Sequence, residues 1–441
     1  MTGARARSTG ASGARPPYFP ERGSAEYRVA SYDLELDYRV GPNRLTGVAR
    51  LEVIPRVPLD RLALDLGPFR IGKALVDGRA ARFRQRRDKL HLTLPRRLPE
   101  GEPCTVEVRY SGNPRPLSSP WGGLGWEQLT DGSLVAAQPT GAPSWFPCND
   151  RVQDKARHRI SVTTASAYHV VANGRLAGRR SSGATTTWVY EQPEPMAPYL
   201  ASVQIGRYRS VEVTGAPVPQ RLVYPAEAEG RVRHDFGRQG EMIERFAELF
   251  GPYPFGAYTV VVADDELEIP VEAQGMSVFG TNHADGARGE ERLVAHELAH
   301  QWFGNSLTLA DWRDIWLHEG FATYAEWLWS EFSGGEPADE HAVRWHGRVS
   351  RRPQDLVLSD PGAERIFDDR VYKRGALALH ALRRTMGDAR FFAMLRAWTD
   401  QNRHGSVTTG RFVLFAQAHA HVPVRELLDA WLNRAPLPRL P

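Results

Sequence analysis

Two neighbouring segments constrain this 441-residue chain more than any other feature: ERLVAHELAHQWFG (291–304) and DWRDIWLHEGFATYAEWLWSEF (311–332). The first has no proline, carries apolar residues at Leu293, Val294, Leu298 and Trp302, and meets Gly304 as a C-terminal stop, so it predicts one helix. His296 and His300 are four positions apart and project from one face, about 6 Å from each other. The second segment predicts another helix, capped by Asp311 and ending before Gly334 and Gly335. Eighteen residues separate His300 from Glu319. A short loop between the helices lets them pack antiparallel and carries Glu319 to the two imidazoles.

Neutral imidazole is a favoured zinc ligand, and a catalytic zinc takes three protein ligands with a fourth position open to water. The pattern therefore predicts one Zn2+ per chain, held by His296, His300 and Glu319. Glu297 follows His296 directly and is offset from it by about 100° around the helix, which lets it face a metal-activated water and serve as general base. This is the reading that the mechanics of an HExxH helix give. Glu326, two turns after Glu319, is placed to buttress His300 or Tyr372 by hydrogen bonding. His318, beside the ligand, is expected to point to solvent. Gly320 inside a helix costs about 1 kcal/mol relative to alanine, and close approach of the two metal-bearing helices is the expected reason.

The rest of the chain divides around this core. Residues 1–22 are rich in Gly, Ser and Arg and predict a disordered basic tail. From Tyr27 short alternating runs such as YDLELDYRV, LHLTL and TTTWVYEQ, broken by Gly, Pro and Asn, predict an antiparallel β domain over 23–207. Beyond it RQGEMIERFAELFG reads as helix, YTVVVAD and GMSVFG as strands, and the remainder as helices, giving a catalytic domain over 208–441. Strands followed by helices make the fold class α+β.

Composition excludes several alternatives. No stretch approaches the roughly 20 apolar residues of a membrane helix, and the basic start lacks the apolar core of a secretory signal, so a cytoplasmic protein without membrane partners is expected. The formal net charge is +4, and Arg5, Arg7, Arg15 and Arg22 stand in the tail against Glu21, leaving the folded part nearly neutral. A nucleic-acid partner needs basic residues clustered on a folded face, so none is expected. Cys104 and Cys148 are the only cysteines and read as buried, inert thiols.

These residues match a known family. HELAHQWFGNSLTLADWRDIWLHEGFATYAEWLW closely resembles the catalytic core of the gluzincin aminopeptidases, the zinc family of aminopeptidase N and leukotriene hydrolase. The likeness extends to QPTGAPSWFPCND (138–150), PMAPYLASVQIG (195–206) and VYKRGALALH (371–380). It implies an N-terminal β domain followed by a thermolysin-like, mainly helical zinc peptidase domain. The chain ends at LLDAWLNRAPLPRLP, where longer relatives continue into a C-terminal helical domain, so it looks like the family's short form.

By the same likeness Tyr372, in YKRG, stabilises the oxyanion of the tetrahedral intermediate, while Glu272 and Gln138 bind the substrate ammonium so that only the first peptide bond reaches the metal. The segment reads IPVEAQGM: Glu272 is kept, with Ile269 where the family has Gly and Ala273 where it has Asn, and Glu266 and Glu268 stand near enough to compete. Lys373-Arg374 stands where Glu-Lys is common. The resemblance implies a monomeric metallo-aminopeptidase acting on peptides with a free N-terminus. The competing readings are a thermolysin-like endopeptidase, which lacks an amine-capturing carboxylate, and a non-catalytic zinc-binding interaction protein.

Overall fold

The computed structural model describes residues 18–441. The expected tail therefore lies mostly outside the described residues, and its last five are anchored. The Tyr18 hydroxyl donates to the Asp360 carboxylate and accepts from the Gly362 N–H at 2.9 Å, and Arg22 approaches Asp88 at 3.7 Å.

The alternating runs of the first half form an eight-stranded sheet centred on Tyr27–Arg39, Arg44–Pro55, Ala156–Ala165 and Cys104–Gly112. Leucine and valine side chains point from alternate positions into one core, as Leu34, Leu36, Leu51, Val53, Val106 and Val108 show by their complete or near-complete burial. The expected antiparallel order has one exception: Tyr27–Arg39 runs parallel to Ala156–Ala165, with Leu34 opposite Ile160. The pair is joined by a long excursion through the remaining β structure, which parallel neighbours require. Cys104 and Cys148 are free and buried, as the sequence predicts.

A mixed five-stranded sheet begins at Tyr208, in the order Tyr208–Val213, Gln220–Pro225, Tyr258–Val262, Met276–Phe279, Val271–Ala273. Three of these strands escape the sequence pattern: the first two flank a turn-rich stretch with Gly215, Pro217 and Pro219, and Val271–Ala273 has only three residues. The remainder is mainly helical, with one short parallel pairing of Thr308–Leu309 and Ser406–Val407, and none of the described helices is long and apolar enough to cross a membrane. The helix Gln239–Phe250 ends at Gly251, whose φ of +95° suits a residue without a Cβ. Phe246 and Phe250 of that helix pack on Trp302, whose indole N–H donates to the Gly251 carbonyl at 2.8 Å. This aromatic seat fixes the segment that carries both histidines.

Three helices converge on the cleft: Glu291–Ala299, Trp316–Phe332 and Asp369–Met386, called below the histidine, glutamate and tyrosine helices. The histidine helix is shorter than its pattern predicts, since regular α-helix stops at Ala299. His300 nevertheless keeps helical angles and bonds back to the His296 carbonyl at 3.2 Å, so the four-residue spacing survives. Asp311 caps a 3-10 turn, Trp312–Asp314, that leads into the glutamate helix.

Gly320 makes a different contact from the one expected. A Cβ there meets Gly375 Cα at 2.8 Å, so the glycine admits the tyrosine helix rather than the histidine helix. Gly375 is its reciprocal partner, meeting Gly320 Cα at 2.7 Å. Arg374, buried beside it, donates to the carbonyls of Trp431 and Ala435 at 2.9 and 2.6 Å and ties this crossing to the end of the helix Arg425–Asn433. Replacing Gly320 by Ala forces two backbones apart. We expect a loss of about 1–3 kcal/mol in denaturant unfolding, with a fall in activity as Tyr372 moves away from the ligands. Unchanged stability and activity would show that the crossing is loose.

Candidate active site

The three predicted ligands come together. Glu319 Oε2 lies 3.4 Å from His296 Nε2 and 3.5 Å from His300 Nε2, and one ligand atom from each residue falls within 4.8 Å of the others. All three side chains are buried. Two imidazole nitrogens and one carboxylate oxygen converging on a point form the donor set of a catalytic zinc, so the residues fit that ion.

The far ring nitrogens orient these ligands. His300 Nδ1 donates to the Phe303 carbonyl at 3.0 Å, which leaves Nε2 facing Glu319. A Cβ at Gly304, where φ is +138°, meets that same Nδ1 at 3.2 Å, so glycine here makes room for the ring as well as the turn. His296 Nδ1 meets Glu326 Oε1 at 2.8 Å. Glu326 thus buttresses His296, not His300 or Tyr372, because two turns along the glutamate helix bring it level with the earlier histidine. His318 is buried rather than turned to solvent, and burial holds its imidazole down near 3.

Glu297 is buried on the same helix, and its Oε2 has no hydrogen-bond partner. Tyr372 stacks on His296 with ring centroids 6.2 Å apart. Glu297, Tyr372, Glu272 and Gln138 all line one cavity of about 370 Å3 together with the three ligands. Glu266 and Glu268 do not line it. Glu272 sits on the short edge strand Val271–Ala273, followed by a turn at Gly275 with φ of +71°. Two residues missed in the sequence hold that strand against the histidine segment. Gln301 accepts from the Gly275 N–H at 2.8 Å and donates to the Ala273 carbonyl at 3.2 Å, and Asn305 donates to that carbonyl at 3.1 Å. Both stand in the HELAHQWFGN run, but only the folded turn shows their partners. Phe367 is a further missed wall residue, edge-on to Trp121 of the β domain at 5.1 Å.

The electrostatics are crowded. Burial disfavours charge on His296, but hydrogen bonds to Glu319 and Glu326 outweigh it and raise its pKa to about 10. For His300 burial is likewise overcome by the Glu319 charge, and the pKa rises to about 9. Glu319 is held low by the two imidazoles despite its burial. Burial pushes Glu297 up and Glu272 up to about 8, against the pull of the histidines. Burial and the nearby carboxylates keep the Tyr372 phenol protonated.

The chain is similar to known proteins over most of its length. Residues 29–200 match the Peptidase M1 N-terminal domain and residues 235–431 the Peptidase family M1 domain. An M1 zinc metallopeptidase from Deinococcus radiodurans superposes with a TM-score of 0.86 at 32% identity, over 96% of this chain and 97% of that one. The chain belongs to peptidase family M1. A mutant of the same Deinococcus enzyme, bound to a Tyr-Ser-Ala substrate, superposes with a TM-score of 0.87 at 31% identity, over 96% of this chain and 98% of that one. Leucyl aminopeptidase of Saccharolobus solfataricus is 25% identical over 390 residues, 82% of this chain and 48% of the relative. Aminopeptidase M1-D of Oryza sativa is 24% identical over 318 residues, 66% of this chain and 36% of the relative. The M1 chain described here thus spans less than half the length of these two relatives.

Two predictions follow the charges. With their pKa values raised to about 10 and 9, both imidazoles of the metal-free protein are expected to carry protons at neutral pH, which a divalent metal would displace. Calorimetry in buffers of differing ionisation enthalpy should read a release of close to two protons at pH 7. Because both pKa values are raised above 6.5, the stabilisation from these pairs is complete below that pH and fades through about 9 and 10. Chelated protein should lose thermal stability over that alkaline window more steeply than metal-loaded protein. Separately, Glu326→Gln should weaken metal affinity by about 10–100-fold, measured by competition with a chromogenic chelator. Unaltered affinity would remove Glu326 from the support of His296.

Proposed function

We propose that this M1 peptidase is a zinc aminopeptidase that removes the first residue of peptides with a free amino terminus. The observation that carries the reading is the shared cavity. The His296, His300 and Glu319 donors, an unpartnered buried carboxyl at Glu297 and a second carboxyl at Glu272 all face the same space. The names of the relatives, leucyl aminopeptidase and zinc metallopeptidase among them, support it.

The residues divide the work by chemistry. His296, His300 and Glu319 hold the ion. Bound there, zinc supplies a Lewis acid that polarises the scissile carbonyl and acidifies a water molecule. Glu297 takes the proton from that water and passes it to the leaving amine. Its raised pKa brings it closer to neutrality, where an acid–base group transfers protons in both directions most effectively. Tyr372, kept protonated, donates a hydrogen bond to the carbonyl oxygen as negative charge gathers on it. Glu272, supported by Gln138, pairs with the substrate ammonium and fixes the register, so that the first peptide bond alone reaches the ligands.

Leu-p-nitroanilide should be cleaved and acetyl-Leu-p-nitroanilide left intact. Glu297→Gln should lower kcat by about 100-fold or more, while Glu272→Ala acts mainly on KM. Equal cleavage of free and acetylated substrates would favour an endopeptidase. Parental turnover by Glu297→Gln would end the proposed mechanism.

A further inference from the structure

We infer that Arg292 and Lys373 capture the free α-carboxylate of short peptides, which makes the enzyme selective for substrates of about three residues with an unblocked C-terminus. The inference rests on the aminopeptidase reading and adds the other end of the substrate.

The two ends of the cleft differ in charge. Glu272 lies towards His300, whose pKa it helps raise, whereas Glu326 bonds His296. Beyond Glu326 stand two cations: Arg292 approaches Glu326 Oε2 at 3.6 Å, and the Lys373 charge helps hold Glu326 ionised. Arg292, Glu326, Lys373 and Asp369 form a wall common to the catalytic cavity and a second cavity of about 440 Å3 that also contains Trp345.

Both cations have spare capacity. Lys373 is 8% exposed and makes no hydrogen bond or ion pair with any described residue; its ammonium lies 4.9 Å from the Trp345 ring centre. Its charge is shared with Glu326, which Arg292 also approaches, so its N–H donors remain open to an incoming anion. Arg292 has one partner for a guanidinium with five N–H donors, and its side chain is 58% exposed. Asp369, exposed on the rim, opposes an anion only weakly through solvent.

The spacing matches a short substrate. Arg292 precedes His296 by four residues, which places it about 6 Å along the helix from the ligand. An extended peptide advances about 3.3–3.6 Å per residue. A carboxylate at Arg292 and Lys373 therefore belongs to a residue about two positions beyond the bond cleaved at the metal. Glu272, then the three converging donors, then Arg292 and Lys373, whose two positive charges exceed the one on Glu326 beside them, make a cleft complementary to a zwitterionic tripeptide.

The test compares kcat/KM for Leu-Gly-Gly, its C-terminal amide and Leu-p-nitroanilide, using the zinc-loaded enzyme and its Arg292→Gln, Lys373→Gln and Arg292→Glu variants. The parent should prefer the free acid over the amide by about tenfold, as a charge-assisted pair gives, with the difference in KM and shrinking as salt rises. Either neutral substitution should bring the acid-to-amide ratio towards one, and Arg292→Glu should invert it. A purely structural role for these cations predicts equal loss on both peptides, and an unchanged ratio in the variants would overturn the inference. So would a parental ratio near one with Leu-p-nitroanilide still cleaved, a result that leaves the aminopeptidase reading standing. Loss of all turnover in the parent would instead sink that reading and this one with it.

Discussion

Four carboxyl groups, Glu272, Glu297, Glu319 and Glu326, the last three buried, surround two imidazoles along one cavity, and the architecture of the catalytic half answers that concentration of negative charge. Charges in such a site interact strongly and must be compensated locally. The raised imidazole pKa values let protons on His296 and His300 do this in the metal-free chain, and a divalent ion held there would satisfy Glu319 and both rings at once. The same crowding keeps Tyr372 neutral and lifts Glu297. The raised imidazole and Glu297 pKa values and the protonated phenol therefore have one common origin.

Such a cluster holds only if its supports are stiff. The histidine segment is seated on Phe246, Phe250 and Trp302, and the glutamate helix presses on the tyrosine helix through Gly320 and Gly375 without an intervening side chain. Arg374 locks the far side of that crossing to the C-terminal helix through backbone carbonyls. This explains the departure at Lys373-Arg374: the arginine is a buried clamp, while the adjacent lysine faces the cleft. Gln301 and Asn305 add the edge strand, so three helices and a strand meet at one point from three directions.

The convergence of His296, His300 and Glu319 is legible because helical periodicity alone puts the two histidines on one face, and Glu319 stands in a second helix within reach. Glu297 follows from its position beside His296. Relations across space were not legible. Glu326 reads as a support, but which ring it supports depends on how two helices slide against each other, and it meets His296. Gly320 reads as a close approach, but to a helix half a hundred residues later. His318 looks like a surface residue from its neighbours, but it is buried with the Gly304 turn beside its ring. The strands Tyr208–Val213 and Gln220–Pro225 escape because they flank a turn-rich stretch with Gly215, Pro217 and Pro219, and Val271–Ala273 because it is only three residues long. Their identity as strands comes from the partners they pair with.

Phe367 is a wall of the catalytic cavity, yet it rests edge-on against Trp121 of the β domain, which in turn meets Phe19 at 6.3 Å. One flank of the cleft is therefore propped from the other half of the protein by a relay of rings. The aperture through which a peptide enters is a joint property of both halves. A change at Trp121, remote from the ligands in sequence and in chemistry, alters how wide that aperture stands.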